Sequence, residues 1–317
     1  MQSFTEALKN LDLKAVRSIP KSDLHNHCLM GGRLKQIENF FGSKLEKFHY
    51  GDRGIEGIND WIEQVYRPVF DRPGAFNAAV EAAFLQARSD GVSVLEMSID
   101  VTLGRLFNIL PENVIVVLRD AHQSIAPEID FRPELGIARS LSVRTVLACI
   151  EPYLDSRFFK SVDLYDMEAA QPIRNYSGIY HFAKARGKKC KAHAGEFGDA
   201  ESVREAVETL ELDAVQHGIG ASHSPEVMKW LAKNRIQLNV CPASNISLKR
   251  VRSYKTHPIR ILFDHGVKVT VNTDDVMLFD KGNSEQFLQL FKCGLFSAEE
   301  LDEIRRNGLL MKGKSIN

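Results

Sequence analysis

From about residue 20 onward the chain alternates short apolar runs with segments of helical period, and no Pro-, Ser- or Gly-rich tract breaks the alternation. The runs are Ser22 to His25, Val92 to Ile99, Glu134 to Arg139, Ser161 to Leu164, Cys190 to Ala192, Ala214 to Gln216, Ile236 to Val240 and Val267 to Val271. A strand followed by a helix, repeated, builds a parallel sheet, and eight repeats close it. The expected fold class is therefore α/β, a TIM (β/α)8 barrel, with residues 1–317 forming one domain. Helix punctuation agrees: Ser224-Pro225-Glu226 and the pair Ser297/Glu300 read as starts, Gly187 and Gly266 as stops. The longest interval between strands, Gly31 to Phe76, contains Trp61, Tyr66 and Phe70 and is expected to form helical lid segments over the barrel mouth.

Such a barrel gathers the carboxyl ends of its strands at one mouth, so residues far apart in sequence converge there. His25 and His27 end the first strand, His193 ends the fifth, His217 the sixth, and Asp274 follows the eighth. Residues two apart on a strand share a face, so the His25-Asn26-His27 spacing turns both imidazoles into the lumen. Several imidazoles and a carboxylate around an open position suit a catalytic zinc, which makes water nucleophilic near neutral pH.

Composition narrows the partners. The chain has 41 Lys and Arg against 41 Asp and Glu, a formal net charge of +0, so neither a nucleic acid nor an anionic membrane is an expected partner. Five scattered cysteines without a C-x-x-C spacing argue against a disulfide framework and a thiolate metal site. Met1 to Pro20 has no continuous apolar run, so neither a signal peptide nor a membrane span is expected, and a cytoplasmic location follows.

The motifs Asp23-Leu24-His25-Asn26-His27, Ser161-Val162-Asp163-Leu164, His193-Ala194-Gly195-Glu196, Gln216-His217-Gly218, Cys241-Pro242-Ala243-Ser244-Asn245 and Asn272-Thr273-Asp274-Asp275 resemble, in this order, those of the adenosine deaminase family of amidohydrolases. The resemblance spans about residues 20 to 280. It implies a barrel holding one Zn2+ through His25, His27, His193 and Asp274, with a position left for water. His217 would orient that water, Glu196 would give a proton to purine N1, and Asp275 would hydrogen-bond N7. Asp163 and Ser161 would line the purine pocket, Ser161 through its backbone N–H toward N3. The implied reaction is hydrolytic deamination of a 6-aminopurine, a small-molecule substrate, to the 6-oxopurine and ammonia.

The chain also departs from that pattern. Members acting on adenosine usually read H-x-H-Leu-Asp-Gly, the Asp accepting the ribose 5′-hydroxyl, whereas here Leu29 follows Cys28 and no acid is present. Leaving a buried hydroxyl unpaired against Leu29 would cost roughly 1–3 kcal/mol. Three arrangements meet this: another acceptor, a substrate without that hydroxyl, or a 5′-phosphate met by Arg33 or Lys35. Val276 replaces a common Pro, and Tyr165-Asp166 replace small residues. Adenosine, deoxyadenosine or a 5′-modified relative leads. Adenine, AMP or an N6-substituted purine nucleotide stands as the alternative, and a non-purine aminated heterocycle or cyclic amide as the second. A descendant that binds without catalysing would be expected to have lost a ligand or Glu196, and both are intact.

The remaining histidines, His49, His122, His181, His223, His257 and His265, read as surface or capping residues. Cys28 and Cys241 read as small buried apolar groups, Trp61, Tyr66 and Phe70 as core beneath a lid, and Pro242, Ser244 and Asn245 as loop-fixing residues.

Overall fold

The computed structural model describes residues 2–48 and 54–309. Eight parallel strands run in sequence order, β1 (Lys21–His27), β2 (Val92–Asp100), β3 (Asp130–Ala138), β4 (Ser161–Tyr165), β5 (Lys189–Ala194), β6 (Ala214–His217), β7 (Gln237–Val240) and β8 (Val269–Val271), with helices between them. Each of the eight expected runs overlaps one of these strands. The ladder is continuous from β1 to β8, and a single bridge between Asn26 and Asp274 closes the ring. Side chains complete that seam: Asn272 Oδ1 accepts the Leu24 N–H at 2.8 Å, Asp23 Oδ1 accepts the Thr273 N–H at 3.0 Å, and Asn283 donates to the carbonyls of Ser22 and Val271. The motif residues flanking the ligand positions thus hold the first and last strands together.

Two apolar clusters form. The larger lies between the sheet and the surrounding helices, with Leu95, Leu135, Val162, Val215 and Leu238 among its buried strand residues. The smaller lies under the segments after β1, where Ile37, Ile58, Trp61, Tyr66 and Phe70 meet Leu248, Met277 and Phe279. Its helices are Leu34–Phe41, Gly54–Trp61 and Arg67–Phe70, and a π-helical turn spans Ile62–Tyr66. Trp61 stacks on Tyr66 at 5.6 Å between ring centroids, and Phe70 continues the row at 4.0 Å from Tyr66. The expected lid is therefore real, and its aromatic residues are its core. His49 lies outside the described residues.

Punctuation behaves as read. Ser224 Oγ accepts the Val227 N–H, Ser297 and Glu300 exchange both bonds of a capping box, and Gly187 and Gly266 stand at φ 71° and 75° where helices end. His257 is the exception among the surplus histidines. It does cap, with Nδ1 accepting the Ile259 N–H at 3.1 Å, but it is buried rather than on the surface.

Candidate active site

The mouth gathers His25 and His27 from β1, His193 from β5, His217 from β6, and Asp274 just beyond β8. His27 Nε2 lies 3.3 Å and His25 Nε2 3.6 Å from Asp274 Oδ1, while His25 and His193 stand 4.6 Å apart between ring centroids. His217 and Asp274 sit in the left-handed region, at φ 62° and 61°. Non-glycine residues there carry on the order of 1–3 kcal/mol of strain each, which the surroundings must impose. The turn aims both side chains into the mouth instead of along their strands.

This group fits a divalent cation. Ligand atoms of His25, His27 and His193 lie within 4.8 Å of one another, and so do those of His25, His217, Cys241 and Asp274. His25 Nε2, His193 Nε2 and His217 Nε2 are buried without a hydrogen-bond partner, as are both oxygens of Asp163. Buried polar atoms are seldom left unpaired, and the orphaned His25 and His217 nitrogens, 3.6 and 3.7 Å from Asp274, indicate a ligand they would share with it, whereas His193 Nε2 and Asp163 face each other. Burial, then the charge of His193, lowers His25 to about 4, while neighbouring carboxylates outweigh burial and hold His27 up at about 9 and His193 above the ordinary range, so a cation bound here would displace protons from those two rings. Burial also pushes up the Asp274 carboxyl, but the imidazoles of His25 and His27 beside it outweigh burial and hold the group well below the usual range. Burial raises the Cys241 thiol well above its ordinary value, in keeping with a small apolar filler.

Two carboxyls beside the group are poised differently. Glu196 Oε2 lies 3.5 Å from His217 Nε2 and 3.7 Å from His193 Nδ1, and burial raises its pKa to about 7 despite hydrogen bonding from His193. Asp275 is also raised to about 7, by burial and then by the charge of Asp274. Such groups exchange protons near neutral pH. Asn245 Nδ2 lies 3.1 Å from His217 Nδ1; with the amide donating there, the ring proton sits on Nε2 and faces Glu196 and Asp274. The Asn245 side chain thus orients the His217 ring, while its Oδ1 and the Ser244 hydroxyl have no partner in the loop they were expected to fix.

An open cavity adjoins the group. His27, His193, Glu196, Asp274 and Asp275 form its floor, and Leu29 and Tyr165 are among its walls. Asp163 stands beneath His193, its Oδ2 3.5 Å from Nε2, and does not line the cavity. Ser161 is the first residue of β4, at the opposite end of that strand, and its hydroxyl donates to Glu134 at 2.7 Å. Arg33 is likewise not in the cavity. Its guanidinium pairs with Glu285 and Asp280, and its Nε donates to Gln86, because the chain turns away after Met30 and carries it toward the helix Asn283–Lys292. Lys35 is exposed beside Glu38. Neither cation lines the cavity.

Glu168 was not singled out by sequence reasoning. Its carboxylate accepts the backbone N–H groups of Gly195, Glu196 and Phe197 at 2.9, 2.8 and 2.8 Å, and Arg250 donates to the Glu196 and Phe197 carbonyls from the other side. No spacing rule announces such a clamp, since it depends on two loops meeting.

A parallel eight-stranded barrel whose mouth combines a candidate metal group with two near-neutral carboxyls defines a metal-dependent hydrolase. The adenosine deaminase family model matches residues 60–314. A Treponema pallidum protein provisionally named adenosine/adenine deaminase is 34% identical over 300 residues, covering 92% of this chain and 99% of the relative. An adenine deaminase of Rhodopseudomonas palustris is 27% identical over 308 residues, covering 93% of this chain and 89% of the relative. Among solved structures, an adenine deaminase from Arthrobacter aurescens superposes with a TM-score of 0.81 at 22% identity, covering 92% of each chain, and bears on the fold. The chain belongs to the adenosine deaminase family and is a hydrolytic deaminase.

Proposed function

We propose that this enzyme hydrolyses the carbon–nitrogen bond at carbon 6 of a 6-aminopurine, releasing ammonia and the 6-oxopurine. The observation that carries the reading is Glu196, a buried carboxyl raised to about 7, set between His193 and His217 at the edge of the cavity. A carboxyl raised in this way can carry a proton near neutral pH, and a protonated Glu196 donates to purine N1, drawing electrons from carbon 6. His217, its Nε2 proton directed inward by Asn245, holds the attacking water and stabilises the charge that develops on its oxygen. Asp275, raised to about 7, shares a proton with purine N7. His25, His27, His193 and Asp274 would hold one zinc ion, which when bound lowers the pKa of water toward neutrality. Water adds at carbon 6, the protons it loses pass to ring and amino nitrogens, and ammonia leaves.

The same reading takes a small purine as the substrate and the cytoplasm as the working location, in one domain. Equal numbers of acidic and basic residues support a substrate other than a polyanion. No helix among the described residues is long and apolar enough to cross a membrane.

The test is ammonia release by zinc-loaded protein from a panel of aminopurines, with Glu196→Gln alongside. Turnover of at least one purine is expected, and the variant should lose about 10²–10⁴-fold in kcat while retaining its metal. A Glu196→Gln enzyme as fast as the wild type would remove the carboxyl from the reaction.

A further inference from the structure

The part of the cavity lining supplied by β2 and β4 is polar, and the deamination reading gives it no task. Ser98 and Asp100 come from the end of β2, Tyr165 from the end of β4, and all three line the cavity. The Tyr165 hydroxyl donates to Asp100 Oδ2 at 2.5 Å, and the Thr102 N–H donates to Oδ1 at 2.6 Å, joined there by the Thr102 hydroxyl. A carboxylate offers about four lone-pair sites, so these three donors leave one on Oδ2. Ser98 Oγ is 4% exposed as a residue and has no hydrogen-bond partner. Room for both groups comes from Gly136, where a Cβ would lie 2.5 Å from Ser98 Oγ and 3.1 Å from the Tyr165 ring. An unfilled acceptor beside an unpartnered hydroxyl is a built site for a hydrogen-bond donor.

The charge of the cavity says which donors fit. Asp100, Asp166, Glu196, Asp274 and Asp275 line it, and no Lys or Arg does among the described residues. Elsewhere the walls are apolar, with Ile58, Ile62, Leu103, Leu248 and Phe279. A phosphate dianion placed beside Asp100 and Asp166 would meet their carboxylates with no lysine or arginine among the lining residues to pair with it. Arg33, three residues beyond the lining residue Met30, is spent on Glu285 and Asp280.

We propose that Ser98 and Asp100, with Tyr165 holding the carboxylate in place, form a recognition subsite for an uncharged hydrogen-bond donor on the part of the purine remote from carbon 6, and that phosphorylated purines are rejected. The proposal rests on the reading that carbon 6 is attacked at the metal group. The donor is a sugar hydroxyl or the ring N–H of a free base; both present the same chemistry to Asp100.

The experiment measures kcat/KM from ammonia release by zinc-loaded wild type, Asp100→Asn and Ser98→Ala. The substrates are adenine, 9-methyladenine, adenosine, 2′,3′-dideoxyadenosine and adenosine monophosphate. Wild type is expected to use the monophosphate at least ~100-fold less well than its best uncharged substrate. It should also favour one donor-bearing member over its donor-lacking counterpart, a ratio that shrinks about 10-fold or more in Asp100→Asn and in the same direction in Ser98→Ala. A ratio that collapses for adenine against 9-methyladenine assigns the ring N–H, and one that collapses for adenosine against the dideoxynucleoside assigns the sugar hydroxyl. Equal losses on every substrate, or preference for the monophosphate, overturn the subsite while leaving the deamination reading intact. Silence of the wild type on all five with zinc bound overturns that reading, and the subsite with it.

Discussion

His257 shows what one buried imidazole does to stability. Its Nδ1 caps the helix Ile259–Asp264 and its ring is sealed from water, so burial lowers its pKa from the usual 6.5 to about 3. The folded protein therefore keeps this ring neutral across a range in which the unfolded chain binds a proton. Its contribution is complete above about pH 6.5 and is lost as pH falls toward 3, because protons then favour the unfolded state. His257→Asn offers an amide oxygen to the same N–H and does not titrate. Between pH 7 and 5, wild type should lose on the order of 2 kcal/mol relative to this variant, read from urea midpoints. Parallel profiles would mean that the ring takes up its proton without unfolding. The sequence could place His257 at a turn before Pro258, but only packing decides that the turn faces inward.

At the scale of elements, what was legible followed strand period, and what was not depended on loops meeting. The eight strands and the histidines at their ends were readable because a strand fixes which way each side chain points. Arg33 and Ser161 were misplaced because sequence proximity to a motif says nothing about where the chain turns or which end of the strand a residue occupies. The loop after β4 is the clearest case. Its Glu168 gathers three consecutive N–H groups of the loop carrying Glu196, so the carboxyl proposed as the proton donor is held by a residue that does not line the cavity. Glu168→Gln replaces one acceptor with a donor and should misalign that loop. A displacement near 1 Å costs on the order of 10²-fold, so kcat is expected to fall that far with metal content and KM little changed. Loss of thermal stability with kcat preserved would make Glu168 a fold residue only.

At the scale of the molecule, the barrel interior below the site is an ionic plug where packed aliphatic layers would be the usual filling. Lys191 from β5 pairs with Glu96 from β2 and Glu134 from β3, and Ser161 and Gln216 complete the hydrogen bonding around Glu134. Burial pushes Glu134 up to about 7, against the pull of Lys191, while the two carboxylates outweigh the burial of Lys191 and hold its ammonium above the ordinary range. The plug ties β5 to β2 and β3, with which β5 shares no ladder, and its worth lies in mutual neutralisation. Lys191→Met keeps the length of the side chain but strands two buried acids, which should destabilise the fold by roughly 3–5 kcal/mol in urea denaturation. Adding Glu96→Gln and Glu134→Gln removes both orphaned charges, so most of that loss should return. If the single and triple variants unfold at the same denaturant concentration, the interior charges are not the cause of the loss, and lost packing around the Lys191 stem becomes its explanation.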